Sequence, residues 1–301
     1  MRPSSPLSRR AAAVLFGIVI FAWGFNWVVT KLLLPSASPL WIITIRSAVA
    51  AVVLLPLLLW RGELVWPKKG DLPVVLSISL LHMTAYAVLV AVGLSLIPAG
   101  RSIVLGYTTP LWVAPGALLF LGERLTRRSA AGVVLGMAGL GLIFNPLTFD
   151  WSDQRALLGN GLVLLAAVCW AASILHVRAH KWVSTPFQLV FWEVLLATVL
   201  LAVLALAVDG PPQIRWSVPV VLLFLYGGVI GVALAYWAMA MVNRSLPAVT
   251  TSIGILATPV VGVLSAMAVL GEPLSLPLVG AMLMIFGGIA LGTFDQWRRP
   301  G

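Results

Sequence analysis

A handful of aromatic and polar side chains stand apart from the apolar background of this sequence. Trp23 is followed three residues later by Asn26, and Trp170 three residues later by Ser173. That spacing places each ring and its polar neighbour near one helix face. His82 and Tyr86 lie one turn apart, Trp112 follows closely on Pro110, and Tyr107 and Tyr236 add two phenols. Rings interspersed with a few hydrogen-bonding groups suit a guest with an apolar body and a polar head. An ammonium group could also lie over a ring face. Trp23, Asn26, His82, Tyr86, Tyr107, Trp112, Trp170, Ser173 and Tyr236 are therefore the candidate binding residues. For each ring the competing reading is ordinary helix packing, and for His82 a hydrogen-bonded structural histidine.

Catalytic chemistry finds little support. The sequence contains no His-Glu-x-x-His pattern, no buried aspartate pair and no cysteine cluster, since Cys169 stands alone. Neither a metal site nor a cofactor is expected, and an intramembrane enzyme lacks its reactive group. A nucleotide-driven pump is excluded for the single chain, because no phosphate-binding Gly-x-x-x-x-Gly-Lys-Ser/Thr loop occurs. A channel would call for a filter loop or rings of charge, and neither is visible.

The elements that must position these residues follow from composition. Of 301 residues, 61% are hydrophobic and 9% charged, against about 25% charged in a soluble domain. Mean hydropathy is +1.06. Such a chain cannot cover itself with polar surface, and its recurrent apolar runs have the length of membrane spans. Ten spans are expected, at 11–30, 39–60, 73–95, 99–121, 129–145, 158–178, 185–207, 217–242, 247–270 and 275–294. The formal charge of +10 is scattered through short connections and forms no nucleic-acid face. Fourteen lysines and arginines, from Arg2, Arg9 and Arg10 to Arg298 and Arg299, fall in one set of connections. Lys31, Arg101, Arg155 and Arg215 fall in the other. That bias places both termini in the cytoplasm. Arg2, Arg9 and Arg10 resemble the start of a signal peptide, but no cleavage site follows, so the first span is expected to be retained.

The sequence also resembles itself. A shift of 147 sets Trp23 on Trp170 and Pro39 on Pro186, with Arg46 opposite Glu193. A shift of 149 sets Thr109-Pro110 on Thr258-Pro259 and Leu121-Gly122-Glu123 on Leu270-Gly271-Glu272. The Leu-Gly-Glu tracts read as helix ends. Each copy holds five spans, an odd number, so the copies must face opposite ways across the bilayer. The expected division is a tail at 1–10, a first five-helix repeat at 11–145, a connection at 146–157, a second repeat at 158–294 and a tail at 295–301. Pro110 and Pro259 fall at matching mid-span positions. They read either as cavity-side hinges or as tolerated kinks at a helix crossing.

Arg46 and Glu193 are the charges well inside spans. Each lies about three residues from its span's midpoint, toward the end where the span begins. Inversion then separates them by about 9 Å in depth, at about 1.5 Å per residue. A direct ion pair is not expected. Arg46 could snorkel or cap carbonyls, and Glu193 is the candidate proton-coupling carboxyl, with a hydrogen-bonded structural acid as the alternative.

The five-helix duplication, the Leu-Gly-Glu end of each fourth span and the glycine-rich span after it resemble the drug/metabolite transporter superfamily. More narrowly they resemble its ten-helix EamA-type exporters, over about residues 11–294. The aromatic content of the candidate core resembles the bacterial aromatic amino-acid exporters. The resemblance implies a fold of ten transmembrane helices as two inverted five-helix repeats around a central cavity. It further implies that the first, third, fourth, sixth, eighth and ninth helices line that cavity, while the fifth and tenth brace it. It implies export of amino acids or related metabolites across a bacterial inner membrane, with nucleosides or amphipathic drugs as the alternative cargo. The expected partners are a small-molecule substrate, the lipid bilayer and a candidate coupling proton. Nothing calls for nucleic acid or a protein partner.

Overall fold

Polar caps and glycines divide the chain into helices much as its hydropathy suggests. The structure, a computed structural model, describes residues 8–122, 126–143, 150–245 and 254–297. The expected helix end at Glu123, the end of the first repeat at 144–145, the start of the ninth span at 247–253 and the extremes of both tails lie outside the described residues. Among the described residues ten long helical segments are present and no strand. They are α1 (Arg9–Leu33), α2 (Pro39–Arg61), α3 (Leu72–Leu96), α4 (Ala99–Leu121) and α5 (Arg127–Ile143). The second set is α6 (Gln154–Ala179), α7 (Pro186–Asp209), α8 (218–245), α9 (Ala257–Leu270) and α10 (Leu276–Trp297). Seven of them, α1 to α4 and α6 to α8, are long and apolar enough to cross a membrane. The other three are shorter in their apolar length or pack at the bundle's flank.

The repeat visible in sequence recurs in the caps. Ser38 caps α2 by accepting from Trp41 N, with Pro39 next. Thr185 caps α7 with Pro186 next and completes a reciprocal capping box with Gln188. At the other extremity α4 and α9 stop on Gly122 and Gly271, at φ of 66° and 67°. A side chain there would meet its own backbone, which is why these helices end on glycine.

Packing interleaves the two halves. α1 lies against α8 and α9 of the other half, and α6 against α3 and α4, which is the same relation inverted. α2 packs on α7, and α5 on α10. In lipid, apolar area alone does not hold helices together, so close backbone approach must. At the α5–α10 contact a Cβ on Gly288 would collide with the Gly132 carbonyl oxygen, and one on Gly139 would lie 2.8 Å from Met284 Cβ. The glycine-rich fifth span is thus spent within the chain, bracing the flank.

Two stretches leave α geometry. Ile78–Tyr86 in α3 and Tyr226–Leu234 in α8 are π-helical, nine residues each, and the second begins 148 positions after the first. A π turn carries one extra residue, so it shifts the facing of everything beyond it and recurs at functional sites. α4 is also interrupted, by a turn at Tyr107-Thr108, and α9 is preceded by a turn at Ile255-Leu256. Pro110 and Pro259 sit in the first turn of the helix that restarts, where a missing N–H costs nothing. They open helical segments instead of bending continuous ones.

The connections are tied in symmetric pairs. At one end Arg215 N donates to Ser36 O at 2.9 Å, and Trp41 Nε1 to Gly210 O at 3.0 Å. At the opposite end the Asp71 carboxylate accepts from Val183 N at 3.0 Å and Ser184 N at 2.8 Å, with His180 Nε2 at 3.2 Å. Burial pushes the Asp71 carboxyl up, but these partners outweigh it and hold the group down at about 2.

Candidate substrate cavity

The π turns and the Tyr107-Thr108 interruption converge on one place. A cavity of about 230 Å³ opens in the bundle, walled by α1, α2, α3, α4, α6, α7 and α8. Its lining runs from mid-bundle rings to Thr30, Ile43, Leu94 and Leu201, near the end that carries the 34–38 and 210–217 connections.

The rings form a continuous wall. His82 stacks on Trp170 with centroids 5.0 Å apart and planes within 6°. Tyr86 meets Trp170 at 5.2 Å and His82 at 5.7 Å. Tyr236 sets its edge against Trp23 at 6.0 Å and His82 at 6.5 Å, and Tyr107 approaches Trp170 at 6.4 Å. These edge and stacked arrangements each suit the ring quadrupoles. Trp23, Asn26, His82, Tyr86, Tyr107, Trp170 and Tyr236 therefore all line the cavity. His82 is held there by its neighbours' faces, with no hydrogen bond to its ring among the described residues.

Other candidates lie elsewhere. Trp112 is half-buried against the α4–α5 core, and its indole N–H donates to Thr108 Oγ1 at 3.2 Å. The Tyr107-Thr108 turn restarts the helix and turns Trp112 off the cavity wall. Ser173 is buried at 2% exposure within α6 but is not part of the lining. Three residues of separation share a helix face only loosely, and Trp170 reaches the cavity by its length. Pro110 faces the outside of the bundle, and Pro259 is buried away from the lining. Glu193 is buried beside the wall formed by Val194, and its Oε1 has no hydrogen-bond partner. Arg46 lines the cavity and is not paired with Glu193.

Trp27, Thr30 and Ser47 also face the cavity. The signal for Trp27 and Thr30 was present in α1: Trp23, Asn26, Trp27 and Thr30 follow the i, i+3, i+4, i+7 stripe of a single helix face. The α9 end contributes a different device. Glu272 accepts from Ala99 N at 2.7 Å and Gly100 N at 2.8 Å, so it caps the start of α4 besides following the end of α9. Lys31 Nζ donates to Leu94 O at 2.6 Å and Ile97 O at 2.8 Å, which closes the end of α3.

Against known proteins, the model of the EamA-like transporter family matches residues 10–145 and again 157–294. The chain belongs to that family. It is a transporter of the drug/metabolite superfamily. The uncharacterized transporter YoaV of Bacillus subtilis (strain 168) is 26% identical over 289 residues, spanning 95% of this chain and 98% of that protein. The "probable amino-acid metabolite efflux pump" of Escherichia coli (strain K12) is 28% identical over 302 residues, spanning 96% of this chain and 97% of that protein. A solved crystal structure superposes with a TM-score of 0.65 at 22% identity, covering 97% of this chain and all of that one, and shows the shared fold. These relatives are named as transporters or efflux pumps, and none as an enzyme.

Proposed function

We propose that this family member is a carrier that exports amino acids, aromatic ones among them, or related small metabolites by alternating access at the ring-walled cavity. The observation that carries the reading is that cavity: rings from both sequence repeats meet in one chamber with Asn26, Thr30 and Ser47 among them. A compact polar head and an apolar body fit such a surface. Relatives named as amino-acid metabolite efflux pumps support the same cargo class.

In this reading the two five-helix repeats, 11–145 and 158–294, supply helix groups that rock around the central cavity, and the π turns and the 107–108 interruption let the lining helices flex. The lysine and arginine bias favours cytoplasmic termini and a bacterial inner membrane. The cavity then reaches toward the outer face, while the Asp71 knot ties the cytoplasmic connections. Among the described residues neither an aspartate nor a sodium-like oxygen cage lines the cavity, which favours facilitated movement over proton antiport. Trp170 and His82 would hold the guest's apolar body, and Asn26 would orient its head.

The test is uptake by the purified protein in liposomes across a panel of amino acids, with and without a pH gradient. Saturable counterflow of aromatic amino acids, unaffected by the gradient, is expected. Absence of counterflow for every amino acid would overturn the cargo class, and gradient-driven accumulation would overturn facilitation.

A further inference from the structure

One charge in the cavity lacks a counter-charge. Arg46 is 9% exposed and stands in the wall. Among the described residues its guanidinium makes one hydrogen bond, from Nη1 to Thr30 Oγ1 at 2.6 Å, and meets no carboxylate. Its Nε is buried without an acceptor. Thr30 is a tether and no more, because its own hydroxyl donates to the Asn26 carbonyl at 2.8 Å. Glu193 is no substitute, since it lies in α7 on the other side of the midplane and makes no ion pair with Arg46. Snorkelling is ruled out by position: Thr30 holds the guanidinium inward, against α8.

The chain has made room for this placement. A Cβ on Gly227 would lie 2.5 Å from Arg46 Nε and 2.8 Å from its Cδ. A Cβ on Gly231 would lie 2.7 Å from Asn26 Oδ1, itself buried without a partner. The glycine-rich π stretch of the second half thus cradles the polar residues of the first. A buried, unneutralised guanidinium is costly, and it is kept at membrane depth where something else completes it. Its planar fork of N–H donors matches a carboxylate.

We propose that Arg46 selects a carboxylate, so that the cargo is a small molecule with an aromatic or apolar body and a free carboxylate group. The carboxylate lies on the guanidinium, the body lies against His82 and Trp170, and Asn26 Oδ1 accepts from a donor beside the carboxylate, such as an ammonium. The inference rests on the cavity being the substrate site, as argued above, and adds the group that the site demands.

Binding of radiolabelled L-phenylalanine to the purified full-length protein tests it by competition. The competitors are 3-phenylpropanoate, which lacks the ammonium, and L-phenylalaninamide, which lacks the charged carboxylate. The amide is expected to compete about 10- to 100-fold more weakly than L-phenylalanine, as for the loss of a hydrogen bond to a charged group. The propanoate should compete measurably. In an Arg46→Gln variant that preference should disappear, while Arg46→Lys should keep part of it. Wild-type protein that binds the amide as well as the acid overturns the proposal and leaves the carrier reading standing. Failure of all three ligands to bind overturns the cargo class as well. The wild-type comparison stands alone if Arg46→Gln does not fold, and a thermal melt of each variant identifies that case.

Discussion

The two π-helical stretches occupy equivalent places in the inverted halves, yet they do opposite things. Ile78–Tyr86 fills its site with side chains: His82, Met83 and Tyr86 all reach the cavity. Tyr226–Leu234 offers only Val232 and otherwise withholds them: Gly227, Gly228 and Gly231 let Arg46, Val49 and Asn26 of the first half lie directly on the backbone. The backbone is symmetric and the chemistry is not. Symmetry supplies two nearly equivalent packings, as alternation between them requires. Asymmetry makes a binding site with a ring-lined side and a polar side, which two identical halves could not provide.

The largest effect should come from cancelling that difference. Gly231→Leu puts a branched side chain where a Cβ already crowds Asn26. Transport in proteoliposomes should fall about 100-fold, the scale of displacing an oriented group by about 1 Å. Near-normal transport would mean that the glycine face is not part of the site. Next in size is the ring wall. Trp170→Ala removes the partner of His82, Tyr86 and Tyr107 together, and should weaken substrate binding about 30-fold, as for a buried aromatic anchor. The protein should stay folded by size-exclusion chromatography.

The Asp71 knot tests the ends of the bundle. Its carboxyl is held at about 2, below its ordinary value of 3.8. Such a group stabilises the fold fully above the ordinary value, and the contribution is lost as pH falls through the folded value. Asp71→Asn should therefore cost about 1–3 kcal/mol at neutral pH. It should also flatten the loss of stability between about pH 4 and pH 2, read from melting curves in detergent. An unchanged acid limb would show that the knot does not hold the connections. The smallest effect belongs to Trp112→Ala. Off the cavity wall, it should alter transport less than about 3-fold, and a loss as deep as that of Trp170→Ala would move the site toward α4.

Much of this was legible because its physical causes are local. Apolar run length gives the spans, Gly122 and Gly271 stop helices by backbone sterics, and Ser38-Pro39 and Thr185-Pro186 start them. Trp23, His82 and Trp170 were readable as a set because large rings and polar groups at bilayer depth turn inward. What escaped depends on helical phase. The turn at Tyr107-Thr108 resets the helix before Trp112, so mid-span depth did not predict its facing. The π turns have no common sequence: YGGVIGVAL is rich in glycine and ISLLHMTAY has none. Their extra residue is stabilised by tertiary contacts that no single window contains. The position of Arg46 was readable, but the empty space it needs comes from Gly227, far along the chain.

In the proposed cycle one chamber is opened in turn to the two faces of the membrane by two interleaved halves. Ala87 lines that chamber and is small enough to become cysteine without repacking. In a Cys169→Ser background, Ala87→Cys is labelled with a membrane-impermeant thiol reagent in right-side-out and in inverted vesicles. Modification from both faces is expected, slowed in each case by bound cargo. Modification from one face only, under every condition, would contradict it.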